Sequence, residues 1–194
     1  MNQIEEIENF AHENNVPIMM DGGVELLLEK IKEYDCKSFL EIGTAIARTT
    51  ILVARIRPDM KVVTIERNQN MISEAKKNIE ESGCAPQITL IEGDALEVEN
   101  PSGEFDCIFI DAAKSQYGKF FAKYSPLLSK HGIIVIDNLN FHGFVDHPEN
   151  TTNRNTRQLV GKIKRFRDAL PNYEGFETEF YNVGDGVAVT RRAK

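Results

Sequence analysis

Three oxygen-bearing side chains and one amine carry the first chemical signal in this chain. In FIDAAKSQY an apolar run stops at Asp111, and Lys114 follows three residues later. A second run, IIVIDN, stops at Asp137 and Asn138. If the two runs are neighbouring parallel strands, ~4.8 Å apart, these side chains converge at one edge of a sheet. Two carboxylates side by side repel unless something neutralises them. A hard divalent cation does so through oxygen ligands, and Mg2+ (or Mn2+) keeps positions open for water and substrate. The alternative leaves each group acting alone, Asp111 as a helix N-cap and Asp137–Asn138 as an Asx turn. Lys114, one turn beyond Asp111 on the same side of a helix, would lose basicity beside a cation and could act as a general base. Its alternative is an ordinary surface lysine.

A second set of residues points to a nucleoside. LEIGTAIART ends an apolar run at Gly43, which permits a tight turn and close backbone approach, and the helix after it offers free N–H groups. TIERN ends the next run at Glu66, 23 residues after Gly43, where a carboxylate can accept hydrogen bonds from both ribose hydroxyls. Ala45 and Ala47 stand where a pyrophosphate cradle would want glycine. Glu41 would repel a diphosphate but suits a ligand with a cationic amino-acid end, such as S-adenosylmethionine (SAM). Both features disfavour an NAD-dependent oxidoreductase. In the GDA triplet, Asp94 and Ala95 can face the adenine, or Asp94 can serve only as an N-cap.

These residues need a scaffold that brings strand ends together. Five short apolar runs occur: SFLEIG (38–43), KVVTIE (61–66), QITLIEG (87–93), FDCIFID (105–111) and GIIVID (132–137). Amphipathic segments alternate with them; NQNMISEAKKNIEESG closes on Gly83 as a C-cap would, and AKSQYGKFFAKYSPLLSK carries a kink-prone Pro126. Near-continuous apolar strands separated by helices predict a parallel sheet covered on both faces. The tail YEGFETEFYNVGDGVAVTRR reads as two strands around a Gly-Asp-Gly turn, an antiparallel hairpin closing the sheet. One α/β domain, 1–194, is expected, with N-terminal helices over 1–35 and the core over 36–194.

Composition sets the outer bounds. The chain has 194 residues, 41% hydrophobic and 27% charged, an ordinary soluble balance. No apolar run approaches the ~20 residues of a membrane span, and MNQIEEIENF has no secretory apolar core. Cys36, Cys84 and Cys107 are scattered and odd in number, which argues for a reducing, cytoplasmic setting rather than a disulfide framework. The net charge of −7 gives no global attraction for phosphate backbones. Yet Arg154–Arg167 holds six basic residues and no acid, either a local basic surface or a solvated helix face. His142 and His147 are read as surface-loop residues rather than members of an acceptor pocket.

Taken in order, LEIGTAIA, TIERN, GDA, FIDAAKSQY and VIDN resemble the cation-dependent class I O-methyltransferases related to catechol and caffeoyl-CoA O-methyltransferases. AHENNVPIM, FIDAAKSQY and YNVGDGVAV look most similar to the bacterial tRNA 5-hydroxyuridine methyltransferases. The resemblance implies a Rossmann-like, mostly parallel seven-stranded sheet and a homodimer. It implies that Glu41, Gly43, Thr44 and Thr49 line the methionine end of SAM, with Glu66 on the ribose, Ala95 near the adenine and Asp111 bordering the cofactor. Asp111, Asp137 and Asn138 would hold Mg2+, and Lys114 would deprotonate the acceptor hydroxyl. The acceptor implied first is 5-hydroxyuridine in a tRNA anticodon loop, with Arg154 and Arg157 gripping phosphates; the alternative is a small catechol-like phenol. Where the family usually has a glycine and an aromatic residue, this chain has Ala47 and Arg48, which brings a charge toward the cofactor and keeps open a non-catalytic SAM- or nucleotide-binding module.

Overall fold

Side chains alternate across a strand, and in the central strands of this chain both sets are apolar. In the computed structural model, which describes residues 2–193, both sets are buried. From β1 (Ser38–Ile42), β4 (Phe105–Ile110) and β5 (Leu128–Ile136), the side chains of Leu40, Ile42, Ile108, Ile110, Ile134 and Ile136 enter one core. Helices α5 (Tyr117–Tyr124) and α6 (Arg154–Ala169) complete it with Phe120, Phe121, Ile163 and Phe166. The opposite set, including Phe39, Cys107, Phe109, Ile133 and Val135, packs under α2 (Asp21–Glu33) and α3 (Arg48–Ala54). Each such large apolar side chain contributes on the order of 1.5–3 kcal/mol by leaving water.

With β2 (Lys61–Glu66), β3 (Ile88–Glu92), β6 (Phe176–Tyr181) and β7 (Val187–Arg192), the sheet has seven strands in the order β3-β2-β1-β4-β5-β7-β6. Strands β1 to β5 pair in parallel, and β7 runs antiparallel between β5 and β6. The chain leaves β1 toward β2 on one side and later returns to place β4 on the other. Ligands in open α/β sheets bind at such a reversal, outside the carboxyl ends of the strands.

Local signals set the helix ends. Asn2 and Glu5 form a reciprocal capping box at α1 (Gln3–Glu13). Asn68 caps α4 (Gln69–Glu81) and Asn153 caps α6 through their side-chain oxygens. Gly83, left-handed at φ 73°, follows α4 as expected. Pro126 does not kink a helix; α5 has ended at Tyr124, and Pro126 lies in a short 3-10 turn, Ser125–Leu127. The three cysteines are buried and unbridged. Among the described residues no helix is long and apolar enough to cross a membrane.

Candidate active site

The first strand end is built by contact with the fourth. Gly43 has φ 102°, and a Cβ placed on it would lie 2.3 Å from the Asp111 carbonyl oxygen. Only glycine fits, because the loops after β1 and β4 touch there. The helix expected directly after Gly43 starts later. Ala45 and Ala47 are left-handed, at φ 47° and 67°, and α3 begins at Arg48. The strained loop turns the Ala45 N–H onto Glu66 Oε2 at 2.9 Å. Glu66 Oε1 accepts the N–H groups of Arg67 and Asn68, each at 2.9 Å. A carboxylate has about four lone-pair sites, so three backbone bonds fix Glu66 in place and leave about one site for a ribose hydroxyl.

Glu41 is 1% exposed. Its Oε2 accepts the hydroxyls of Thr50 and, at 2.6 Å, Thr64, and the Thr64 hydroxyl lies 2.6 Å from that of Thr44. Burial pushes its carboxyl up to about 8; the two hydroxyls work against that, and the nearby Asp111 and Glu66 charges add to it. A cationic group arriving beside Glu41 would favour the ionised form. Thr49, on the first turn of α3, is largely buried at the same wall. After β3, the Ala95 carbonyl is anchored by the Tyr124 hydroxyl at 2.5 Å and the Lys123 ammonium at 2.9 Å. Asp94 accepts the Leu96 N–H at 2.8 Å and pairs with Arg67 at 2.9 Å, so it shapes the turn and also borders the cavity.

The second cluster lies at the ends of β4 and β5. Asp111 and Asn138 border the same cavity, whereas Asp137 is 1% exposed beneath its wall. The Asp137 backbone carbonyl accepts the Tyr117 hydroxyl at 2.8 Å, but its side-chain Oδ1 is the one buried side-chain polar atom left without a hydrogen bond among the described residues. Burial first, then the Asp111 charge, pushes the Asp137 carboxyl up to about 7, and burial raises Asp111 as well. Lys114 Nζ donates to Asn138 Oδ1 and stands 3.9 Å from Asp111 Oδ1. The residues from Asp111 to Ala113 are not helical and Lys114 sits in a 3-10 turn, so the expected shared helix face is replaced by a loop that folds the amine back. Asp111 caps no helix.

No three His, Cys, Asp or Glu side chains gather to hold a metal among the described residues. The set here is two carboxylates and an amide. Its chemistry fits a hard cation: all the donors are oxygens, one is buried without a partner, and both carboxyls resist ionising together.

One cavity of about 850 Å3 joins the two clusters, bordered by Glu41, Gly43, Glu66 and Ala95 at one end and by Lys114 and Asn138 at the other. Sequence reasoning missed a third side. Val16–Met20, between α1 and α2, line the cavity, as does Asp185 from the β6–β7 loop. Asp185 is 6% exposed, accepts the His142 N–H at 2.6 Å and lies 3.5 Å from the Asn138 amide nitrogen. The Gly-Asp-Gly pattern marked the turn; nothing in it marked the carboxylate as inward-facing.

Two expectations change. His142, read as a surface-loop residue, borders the cavity, held left-handed at φ 57° by the Asp185 contact, while His147 pairs outside with Glu149 at 3.1 Å. Arg48 brings no bare charge to the cofactor end; Glu8 and Asp21 neutralise it at 2.5 and 2.7 Å. Arg154 and Arg157 stand exposed at the start of α6 and do not border the cavity.

A family model described as O-methyltransferase matches residues 2–193. A catechol O-methyltransferase of Niastella koreensis is 37% identical over 141 residues, 69% of this chain and 61% of that enzyme. A Staphylococcus aureus crystal structure assigned as a caffeoyl-CoA O-methyltransferase superposes with a TM-score of 0.93 at 39% identity, covering all of this chain and 93% of that one. The fold also matches the O-methyltransferase TomG of Streptomyces achromogenes in complex with SAM, with a TM-score of 0.84 at 22% identity over 100% of this chain and 91% of that one.

Proposed function

We propose an acceptor and a residue-level mechanism for a chain that belongs to the O-methyltransferase family. Membership makes it a SAM-dependent O-methyltransferase of the caffeoyl-CoA and catechol type, and the non-catalytic and NAD readings give way to that. The acceptor is a hydroxyl standing beside a second oxygen. The reading rests on Lys114, whose amine meets Asn138 and Asp111 at the opposite end of the cavity from Glu66.

Glu66 accepts a ribose hydroxyl of SAM, and Glu41 faces its amino-acid end. Asp111, Asp137 and Asn138 would hold the divalent cation, which when bound supplies Lewis acidity that lowers the pKa of an adjacent hydroxyl. Lys114 takes the hydroxyl proton at Nζ. The acceptor oxygen then forms its bond to the methyl carbon as the carbon–sulfur bond breaks, and the bonding pair leaves on sulfur as a neutral thioether. Holding oxygen, carbon and sulfur in line supplies most of the acceleration.

The acceptor we favour is 5-hydroxyuridine in a tRNA anticodon loop, whose 5-hydroxyl adjoins the 4-carbonyl and whose base can be splayed out. Support comes from α6, which packs against the turn carrying Lys114. Lys164 and Arg167 pair with Asp168 and Asp146, and Arg157 donates to the Thr151 and Thr152 carbonyls. Arg154, Lys162 and Arg165 are exposed without an ion-pair partner among the described residues, free to meet phosphates. A small catechol is the second reading, favoured by the name of the Niastella relative.

Methyl transfer from labelled SAM to hydroxyuridine-containing tRNA and to a simple catechol, each with Mg2+ or EDTA, tests the proposal. EDTA-sensitive label in tRNA far above that in catechol supports it. Label confined to catechol leaves α6 a solvated face, and label insensitive to EDTA removes the cation.

A further inference from the structure

Residues 16–23 run from the link after α1 into the first turn of α2. Val16–Met20 line it. Gly22 and Gly23, in the first turn of α2, meet the β6–β7 loop backbone to backbone: a Cβ on Gly184 would sit 3.3 Å from the Gly23 nitrogen. The next residue in that loop is Asp185, with its contacts to His142 and Asn138.

The other attachment is Arg48, the first residue of α3 and the neighbour of the left-handed Ala47. Its three guanidinium nitrogens are all used. Nε and Nη2 reach Glu8 at 2.7 and 2.5 Å, Nη2 also reaches Asp21 at 2.7 Å, and Nη1 donates to the Met19 carbonyl at 3.0 Å. The Arg48 side chain is 6% exposed, against 36% for Glu8 and 85% for Asp21. The arginine is the fixed post, and the N-terminal segment is fastened to it. A planar fork with donors in several directions can hold two carboxylates and a carbonyl at once; an ammonium on a flexible stem cannot reproduce that geometry.

We propose that Arg48 is a positioning residue that locks Val16–Gly23 as a strap between the cofactor loop and the acceptor end, and thereby sets acceptor affinity. The strap lines the cavity and abuts the loop bearing Asp185, so a loosened strap widens the acceptor's seat while the Lys114–Asn138 contact, Glu66 and the Gly43 turn, held by their own bonds, persist. The acceptor arm of this inference rests on the methyl-transfer reading above; the strap itself does not.

The test compares Arg48→Met and Arg48→Lys with the wild type. Loss of the arginine returns two partly exposed carboxylates to water and buries no orphan charge, so the variants should fold. In hydrogen–deuterium exchange without ligand, amides of residues 16–23 should exchange about tenfold faster in Arg48→Met, with β4 and β5 unchanged and Arg48→Lys between. With whichever acceptor the wild type methylates, KM for that acceptor should rise about tenfold while kcat stays near wild type. Unchanged exchange over 16–23 in Arg48→Met overturns the strap. A fall in kcat with acceptor KM unchanged overturns the positioning role. If the wild type methylates neither acceptor, the acceptor assignment fails while the exchange result still decides the strap.

Discussion

Gly43 and Asp111 are in backbone contact: a Cβ on the glycine would lie 2.3 Å from the aspartate carbonyl oxygen. The loops after β1 and β4 thus share one wall, and the glycine sets how closely they approach. Gly43→Ala must both adopt φ 102° and push that carbonyl away. The expected loss is about 2–4 kcal/mol in urea unfolding, with SAM affinity in calorimetry down at least about tenfold. Wild-type stability and affinity in this variant would remove the steric role.

Glu41 predicts a pH dependence of stability. Its folded carboxyl holds its proton up to about 8, against an ordinary 4.5. Between those values the folded state binds more proton than the unfolded one, so this group's contribution, full below 4.5, is lost as pH rises to about 8. Glu41→Gln removes the titration. The melting temperature of the wild type should fall relative to the variant across that window, and parallel curves would show that Glu41 titrates normally.

Divalent binding should stabilise the wild type through Asp137, whose buried Oδ1 lacks a partner. At a hundredfold excess of Mg2+ over its Kd, linkage gives about 2.7 kcal/mol, which for a domain of this size is a rise of roughly 5–10 °C. Asp137→Asn should abolish most of that shift, and Asp111→Ala should abolish EDTA-sensitive turnover with the fold intact. A Mg2+ shift retained in both variants would place the cation elsewhere.

Lys114→Met should lower kcat about 10^2 to 10^4-fold, the usual range for a general base. SAM affinity should stay within about twofold, since Lys114 meets Asn138 and Asp111 rather than Glu66 or the Gly43 turn. An unchanged kcat would return the lysine to an ordinary surface role.

Charge reversal of Arg154 and Arg157 together should weaken tRNA methylation and flatten its salt dependence, leaving catechol methylation untouched. Equal loss on both acceptors would mean that the start of α6 supports the fold rather than gripping RNA, as the Arg157 bonds to Thr151 and Thr152 would allow.

Local pattern was enough to find the strands, their parallel pairing and the residues at their carboxyl ends. Period and apolarity are local properties, and a strand must end where its apolar run meets Gly43, Glu66, Asp111 or Asp137. The left-handed Ala45 and Ala47 escaped that logic, because a helix-forming residue type was overridden in a turn where the Ala45 N–H meets Glu66 and the Ala47 N–H meets the Thr44 carbonyl. It took the folded chain to show that Arg48 is neutralised by Glu8 and Asp21, that Asp185 turns inward to His142, and that Val16–Met20 wall the cavity. Each depends on groups far apart in the chain meeting across packed elements, and no pattern along a chain records which of two solvated-looking charges will find the other.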